Sequence, residues 1–193
     1  MTIRRGDGTA LNNTNIITLY HGSIYDFNKI DVARGKPNKD FGHGFYTSRT
    51  EQQAVNLAKR NRQIEQNRLA LISDKTQVPA WLYVYEFDLL KADALNVKEF
   101  KQADFDWVDF IVENRTSPNP QNDYDIVIGP TANDDTLITI SALLNRTYGD
   151  PESIRAKELF LEFISADSLP YQTFFGTAKA ASLLAFKDRR IIP

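Results

Sequence analysis

The sequence predicts a single α+β domain, and three observations carry that reading. Segments rich in β-branched and aromatic residues are interspersed with longer amphipathic ones. They lack a regular strand–helix–strand rhythm, and no GxGxxG turn follows a strand. The length, 193 residues, suits one domain of about 100–200 residues that buries a real core without covalent staples. A 42% hydrophobic and 11% aromatic content with 9 Gly and 8 Pro is that of a globular chain, neither collagen-like nor linker-dominated.

The elements follow in order. Residues 1–15 are polar and rich in Asn, Thr and Gly, and are expected to form a flexible arm ahead of a domain over 16–193. Ile16-Ile17-Thr18-Leu19-Tyr20 reads as a strand ending at His21-Gly22-Ser23. Residues 24–44 mix isolated apolar positions with Asp, Asn, Lys, Pro and Gly, which predicts a long loop. It closes in Asp40-Phe41-Gly42-His43-Gly44-Phe45-Tyr46-Thr47-Ser48, two glycines just before two aromatics, where the backbone is free to turn or to approach a neighbour closely.

Ser48 or Thr50 is placed to cap a helix running to about residue 72, with Glu51 in its first turn where the helix dipole favours an acid. Ala54, Leu57, Ala58 and Ile64 are expected on one side, and Lys59, Arg60, Arg62 and Arg68 give a basic face, solvated or set towards a phosphate or acidic partner. Residues 81–88 form the clearest strand. Residues 98–114 have mixed helical spacings, as one packed helix or two short ones. Residues 124–130 read as a buried strand closed by Gly-Pro. Two helical patterns follow near 136–147 and 151–165, the second with Pro151 early, where a missing N–H costs least. Residues 171–175 read as a strand, 177–184 as a short helix and 187–193 as an edge strand.

Composition excludes several chemistries. With no Cys, disulfides, iron–sulfur clusters, thiolate zinc sites and cysteine nucleophiles are absent. Two His, His21 and His43, cannot make a three-His centre, so no metal is expected. A net charge of −2 gives no basic field for bulk nucleic acid, although residues 59–68 are locally basic. No run reaches the roughly 18 apolar residues of a membrane helix, and the first residues lack a signal-like apolar core. A cytoplasmic protein without membrane contact is the expectation. GxSxG and GxxxxGK[ST] are absent as well. Acidic pairs such as Asp134-Asp135 and Asp104/Asp106 are ordinary surface features.

Two segments stand out. One is the strand ending in His21-Gly22-Ser23, the other Gly42-His43-Gly44-Phe45-Tyr46-Thr47-Ser48, some twenty residues on. A His beside Gly sets a directional ring next to a backbone edge with which a planar amide can pair. The ring of Tyr46, flanked by Gly44, offers a face on which a heterocycle stacks. Together they suggest one slot for a flat, amide-bearing ring attached to a sugar.

In this order and spacing the two segments resemble the ADP-ribosyltransferase superfamily, in its His–Tyr–Glu branch with diphtheria toxin and the poly- and mono-ADP-ribosyl polymerases. Its first motif is a strand ending in H-G-[ST], and its second reads G-x-G-[IF]-Y-[FT]-[AS]. The whole-chain layout, including WVDFIVENR and YDIVIGP, is similar to a bacterial family of that superfamily associated with toxin–antitoxin or defence loci. The resemblance covers about residues 17–186. It implies a split β-sandwich of two small sheets with flanking helices, and NAD+ as co-substrate without a metal. It also implies mono-ADP-ribosyl transfer with nicotinamide release, a protein or nucleic-acid acceptor, and an antitoxin partner. It further implies that His21 contacts the adenosine-side ribose and that the Gly22 backbone pairs with the nicotinamide carboxamide. Ser23 lies beside the nicotinamide ribose, Tyr46 stacks on the nicotinamide, and Gly44 lets the backbone come close.

The branch's third motif, a Glu at the start of a late strand, falls at Gln172. A neutral amide still hydrogen-bonds a ribose hydroxyl but lacks the charge that stabilises a ribosyl cation, a loss of about 3–4 kcal/mol by analogy with one oxyanion-hole donor. In a site limited by that missing charge, Gln172→Glu raises NAD+ cleavage. Glu158 and Glu162 lie within a helical pattern. Arg34, Lys36 or Lys39 are candidates for the pyrophosphate, and Arg115 for phosphate or for a helix end. Breaking the C1′–N bond needs orientation, an aromatic clamp and hydrogen bonds, and no covalent nucleophile. The alternatives are a catalytically inactive module that binds NAD+ or ADP-ribose, and a scaffold that binds only protein.

Overall fold

The computed structural model of the chain describes residues 15–118, 120, 122–132, 134–166 and 169–193. The arm expected over 1–15 lies, apart from Asn15, outside the described residues. Asn15 itself accepts a hydrogen bond at its carbonyl from Leu89 N–H, at 2.9 Å.

The strands are β1 (Ile16–Ser23), β2 (Phe45–Ser48), β3 (Trp81–Asp88), β4 (Val97–Glu99), β5 (Ile126–Pro130), β6 (Tyr171–Phe175) and β7 (Leu184–Ile191). The α-helices are α1 (Glu51–Leu71), α2 (Phe105–Thr116), α3 (Asp134–Leu144), α4 (Ile154–Phe163) and the single turn α5 (Ala178–Ala181). All seven strands belong to one sheet in the order β4-β5-β6-β2-β1-β3-β7. β4 and β5 run parallel, as α2 between them requires. The other neighbours are antiparallel.

The mixed α+β class is as expected, but the two small sheets are not separate. β1 pairs along its whole length with β3, from Ile16 opposite Asp88 to Ser23 opposite Trp81. With β2 it shares one register pair, Tyr20 opposite Ser48. That pair makes the ladder continuous, and it is the thinnest seam in the sheet. The seam divides β4-β5-β6-β2 from β1-β3-β7.

Two cores lie on the two faces. Consecutive residues of β6 alternate between them: Phe174 packs with Phe41, Trp107, Val127, Leu143 and Phe160 under α2, α3 and α4. Phe175 packs instead with Leu19, Tyr83, Tyr85, Phe87 and Ile126. This period of two is the ordinary property of a strand buried on both faces.

Three local expectations are corrected. First, α1 does not bury Leu57 and Ile64, which are 45% and 56% exposed; it buries Ala54 and Ala58. A Cβ built on Gly22 would lie 2.0 Å from the Ala54 carbonyl oxygen, so the helix backbone rests directly on β1. Only small residues fit that contact. Second, residues 98–114 are not helical throughout. Val97 to Glu99 pair with β5, and α2 starts only where Asp104 Oδ1 accepts the Trp107 N–H at 3.0 Å. Third, the helix expected over 177–184 is limited to α5, because the chain from Leu184 on pairs with β3. A helical propensity gives way there to a whole strand of ladder bonds.

Gly22→Ala is therefore expected to destabilise the protein by about 1–3 kcal/mol, since its methyl meets helix backbone and not a flexible side-chain end. Ile64→Ser, on the exposed side of the same helix, is expected to stay within about 0.5 kcal/mol. Denaturant titration of the two variants against the wild type checks both.

Candidate active site

His21 and Tyr46 sit at the seam. Past the Tyr20–Ser48 pair, the link between β1 and β2 is made by a side chain: His21 Nδ1 lies 2.7 Å from the Tyr46 carbonyl oxygen. A carbonyl only accepts, so Nδ1 carries the hydrogen and Nε2 of the neutral ring is an acceptor. The imidazole is packed among aromatic rings, 4.3 Å from Phe45, 5.8 Å from Phe27 and 6.2 Å from Tyr83 between centroids. This burial lowers the His21 pKa to about 4, outweighing the Tyr46 hydrogen bond, which raises it.

The Tyr46 ring goes the other way. It packs 5.1 Å from Phe174 and 6.5 Å from Phe41. Its hydroxyl donates to Gly42 O at 2.6 Å and accepts from Phe41 N–H at 3.1 Å. Burial and the nearby Asp40 charge push its pKa well above the usual tyrosine value, so it stays a phenol. The expected convergence of both rings on one slot is thus corrected. They occupy the two faces of the sheet, because neighbouring strands present His21 and Tyr46 with opposite parity. What joins the motifs is the Tyr46 carbonyl.

The glycines are explained by close packing. A Cβ on Gly44 would lie 2.4 Å from the Phe174 ring and 2.6 Å from Phe175 O. Gly42 has φ +88°, a conformation that favours glycine. Ser23 is buried, and its Oγ accepts the Tyr25 N–H at 2.9 Å. Arg34 is exposed at the end of a 3-10 turn, Val32–Arg34. That turn lies against the second motif: His43 Nε2 is 3.1 Å from Ala33 O, and a Cβ on Gly35 would lie 2.3 Å from Gly44 O. Lys36 and Lys39 are exposed on the same loop. Glu158 and Glu162 are exposed on α4.

Gln172 is the second residue of β6, opposite Ser48 of β2, and Ser48 is in turn opposite Tyr20 of β1. Its partner is a residue the sequence did not single out. Asp40, 4% exposed, accepts the Gln172 Nε2–H at 2.7 Å and the Ala132 N–H at 3.0 Å on Oδ2. On Oδ1 it accepts two bonds from Arg115, one through Nε at 2.9 Å and one through the terminal NH2 group. Arg115, in the last turn of α2, is thus a partner of Asp40. The one signal in the sequence was position, since Asp40 opens the glycine-rich second motif.

Asp40 also changes the expectation for Gln172→Glu. A second carboxylate at hydrogen-bond distance from Oδ2 repels the first, so one of the two retains a proton to higher pH. The substitution does not simply add the missing charge.

The family described as "Protein of unknown function (DUF3990)" matches residues 17–186. The chain belongs to that family. The match runs from the second residue of β1 through β6, and therefore covers both segments that meet at the seam. Comparisons with curated proteins and with solved structures return no match. Among the described residues of this DUF3990 chain, no group of three or more His, Cys, Asp or Glu is arranged to hold a metal ion. No described helix is long and apolar enough to cross a membrane.

The low His21 pKa has a measurable sign. The unfolded ring binds a proton near its ordinary 6.5 and the folded one only near 4. Stability from the neutral folded ring is therefore complete above pH 6.5 and is lost as pH falls from there towards 4, by about 1–3 kcal/mol. Nuclear magnetic resonance titration of the His21 ring should give a midpoint near 4, well below the ordinary 6.5 of imidazole. The wild-type minus His21→Phe difference in unfolding free energy should shrink over the same interval.

Proposed function

We propose that this DUF3990 protein is an NAD+-dependent mono-ADP-ribosyltransferase. The observation that supports the reading is that three motif-bearing strands from distant parts of the chain lie side by side in the sheet, with the His21 and Tyr46 rings on its opposite faces. His21, Tyr46 and Gln172 come from β1, β2 and β6, three strands adjacent in the sheet, with Tyr20, Ser48 and Gln172 in one cross-strand row. In the superfamily that the sequence resembles, three motifs in the same chain order provide the nicotinamide site. The split β-sandwich of that superfamily is part of the proposal, and the single-pair seam between β1 and β2 is what supports it.

In this reading the C1′–N bond of the nicotinamide ribose breaks heterolytically. The bonding pair leaves with the ring nitrogen, so nicotinamide departs neutral and the ribose carries an oxocarbenium ion. An acceptor nucleophile attacks C1′ and gives up its proton; with water as acceptor the products are ADP-ribose, nicotinamide and a proton. The protein's share is orientation and hydrogen bonding. His21 stays neutral at physiological pH and offers Nε2 to a ribose hydroxyl of the adenosine side. The Gly22 backbone takes the carboxamide, Ser23 lies by the nicotinamide ribose, and Gly44 and Tyr46 form the nicotinamide-side wall. Gln172 accepts from the nicotinamide-ribose hydroxyl, and exposed Arg34 contacts pyrophosphate. The acceptor is a protein or a nucleic acid, and a bacterial toxin or defence role carries an antitoxin partner and a cytoplasmic site of action.

One observation favours a second reading, a module that binds NAD+ or ADP-ribose without cleaving it. Gln172 is neutral and its amide nitrogen is already engaged by Asp40, so a ribosyl cation beside it has no direct counter-charge from residue 172.

Incubation of the purified protein with NAD+ labelled on the nicotinamide should release nicotinamide, and His21→Ala and Tyr46→Ala should each abolish the release. Binding by calorimetry without release establishes the module. Absence of both binding and release at millimolar NAD+ overturns the NAD+ reading and leaves a protein-binding scaffold.

A further inference from the structure

Asp40 is a buried carboxylate with no lone pair to spare. An ionised carboxyl offers about four acceptor positions, and this one receives four donors: two from Arg115, one from Ala132 N–H and one from Gln172 Nε2. Such a group is in no position to touch a substrate. It can, however, dictate how its neighbours are turned. Because a carboxylate only accepts, the Gln172 side chain must present its nitrogen to Asp40, and its oxygen Oε1 points away from the Asp40–Arg115 pair. The opposite sense would set an amide oxygen against Oδ2.

We infer that Asp40 is a positioning residue that locks the Gln172 amide with its oxygen towards the substrate, so that Asp40 and Gln172 together do the work of a single acidic acceptor. The inference rests on the NAD+ reading for the role of Gln172; the locked orientation itself is a property of the free protein. Arg115 balances the Asp40 charge, Ala132 fixes its second oxygen, and the amide transmits a polarised acceptor to the ribose hydroxyl. A Glu at 172 would break this arrangement, since it offers no hydrogen to Asp40.

Four proteins test it: wild type, Asp40→Asn, Gln172→Glu, and the double exchange Asp40→Asn/Gln172→Glu. In Asp40→Asn the two Arg115 donors hold the amide oxygen, so the amino group is set against the Gln172 nitrogen, the locked sense is lost, and NAD+ cleavage falls about a hundredfold in kcat with little change in KM. Gln172→Glu alone sets two carboxylates together and also falls. The double exchange restores an N–H donor facing a carboxylate, now with the charge on residue 172, and cleavage recovers well above either single variant. The sign of the Asp40→Asn effect thus reverses between backgrounds. A residue that only holds the fold predicts the opposite: Asp40→Asn harmful in both backgrounds, with kcat per folded molecule unchanged once melting curves correct for unfolded protein. That result overturns the inference.

The free protein gives an arm independent of NAD+. Nuclear magnetic resonance of the Gln172 side-chain amide should show two well-separated, slowly exchanging N–H signals. Their positions should follow the removal of the Asp40 charge in Asp40→Asn. Signals indifferent to Asp40 overturn the locked orientation. If those signals behave as expected but wild-type protein neither binds nor cleaves NAD+, the proposed function fails and with it the catalytic role of the pair, while the locked amide stands.

Discussion

Removing a carboxylate from water costs several kcal/mol unless charge and hydrogen bonds replace the lost hydration, and one partner taken from a buried pair typically costs about 3–5 kcal/mol. Asp40 meets that condition with groups from otherwise separate parts of the chain. Arg115 comes from the last turn of α2, Ala132 from the segment after β5, and Gln172 from β6. The long loop between β1 and β2 is pinned at its far end by this one charge. The next residue, Phe41, is fully buried and donates its N–H to the Tyr46 hydroxyl. The second motif thus owes its shape to an ion pair just ahead of it.

The seam in the sheet is the complementary feature. On either side of it the ladders are long and the faces aromatic, whereas across it the strands share one register pair and one imidazole–carbonyl bond. Beyond those two links the facing backbone of β1 and β2 shares no ladder pair. Here the sheet is continuous enough to hold its register and open enough to leave the ends of the two motifs to each other. The helix α1 keeps β1 in place from one face through the Gly22 contact, and the Phe45, Phe27 and Tyr83 rings hold His21 on the other.

Some of this was legible in the residues. Trp81 to Asp88 alternates as a strand must, and it is a strand over that span. The start of α1 at Glu51 and its end near Ile72 follow the pattern, although the Thr50 side chain at the N-cap makes no capping hydrogen bond. Gly44 could be read as a place of close approach, and it is one, whereas Gly22, read as an edge for a planar amide, has the α1 backbone packed on it. Other readings failed for identifiable reasons. Leu57 and Ile64 share a side of the helix pattern with Ala54 and Ala58, but it is Ala54 and Ala58 that meet β1, where the helix backbone lies against Gly22. Val97 to Glu99 could not be distinguished from a helix start, because a three-residue strand carries too little pattern to be seen.

By itself the sequence determined the class of fold, the order of most elements, the absence of thiol chemistry, and the two glycine-flanked segments on which a dinucleotide reading stands. Each of those depends on local pattern or composition, which the chain carries in any conformation. Only the tertiary structure decided that the sheet is one, that the His21 and Tyr46 rings take opposite faces, and that Gln172 answers to Asp40. Those facts depend on pairing between residues as far apart as 40 and 172, where register and buried charge, not nearest neighbours, select the arrangement.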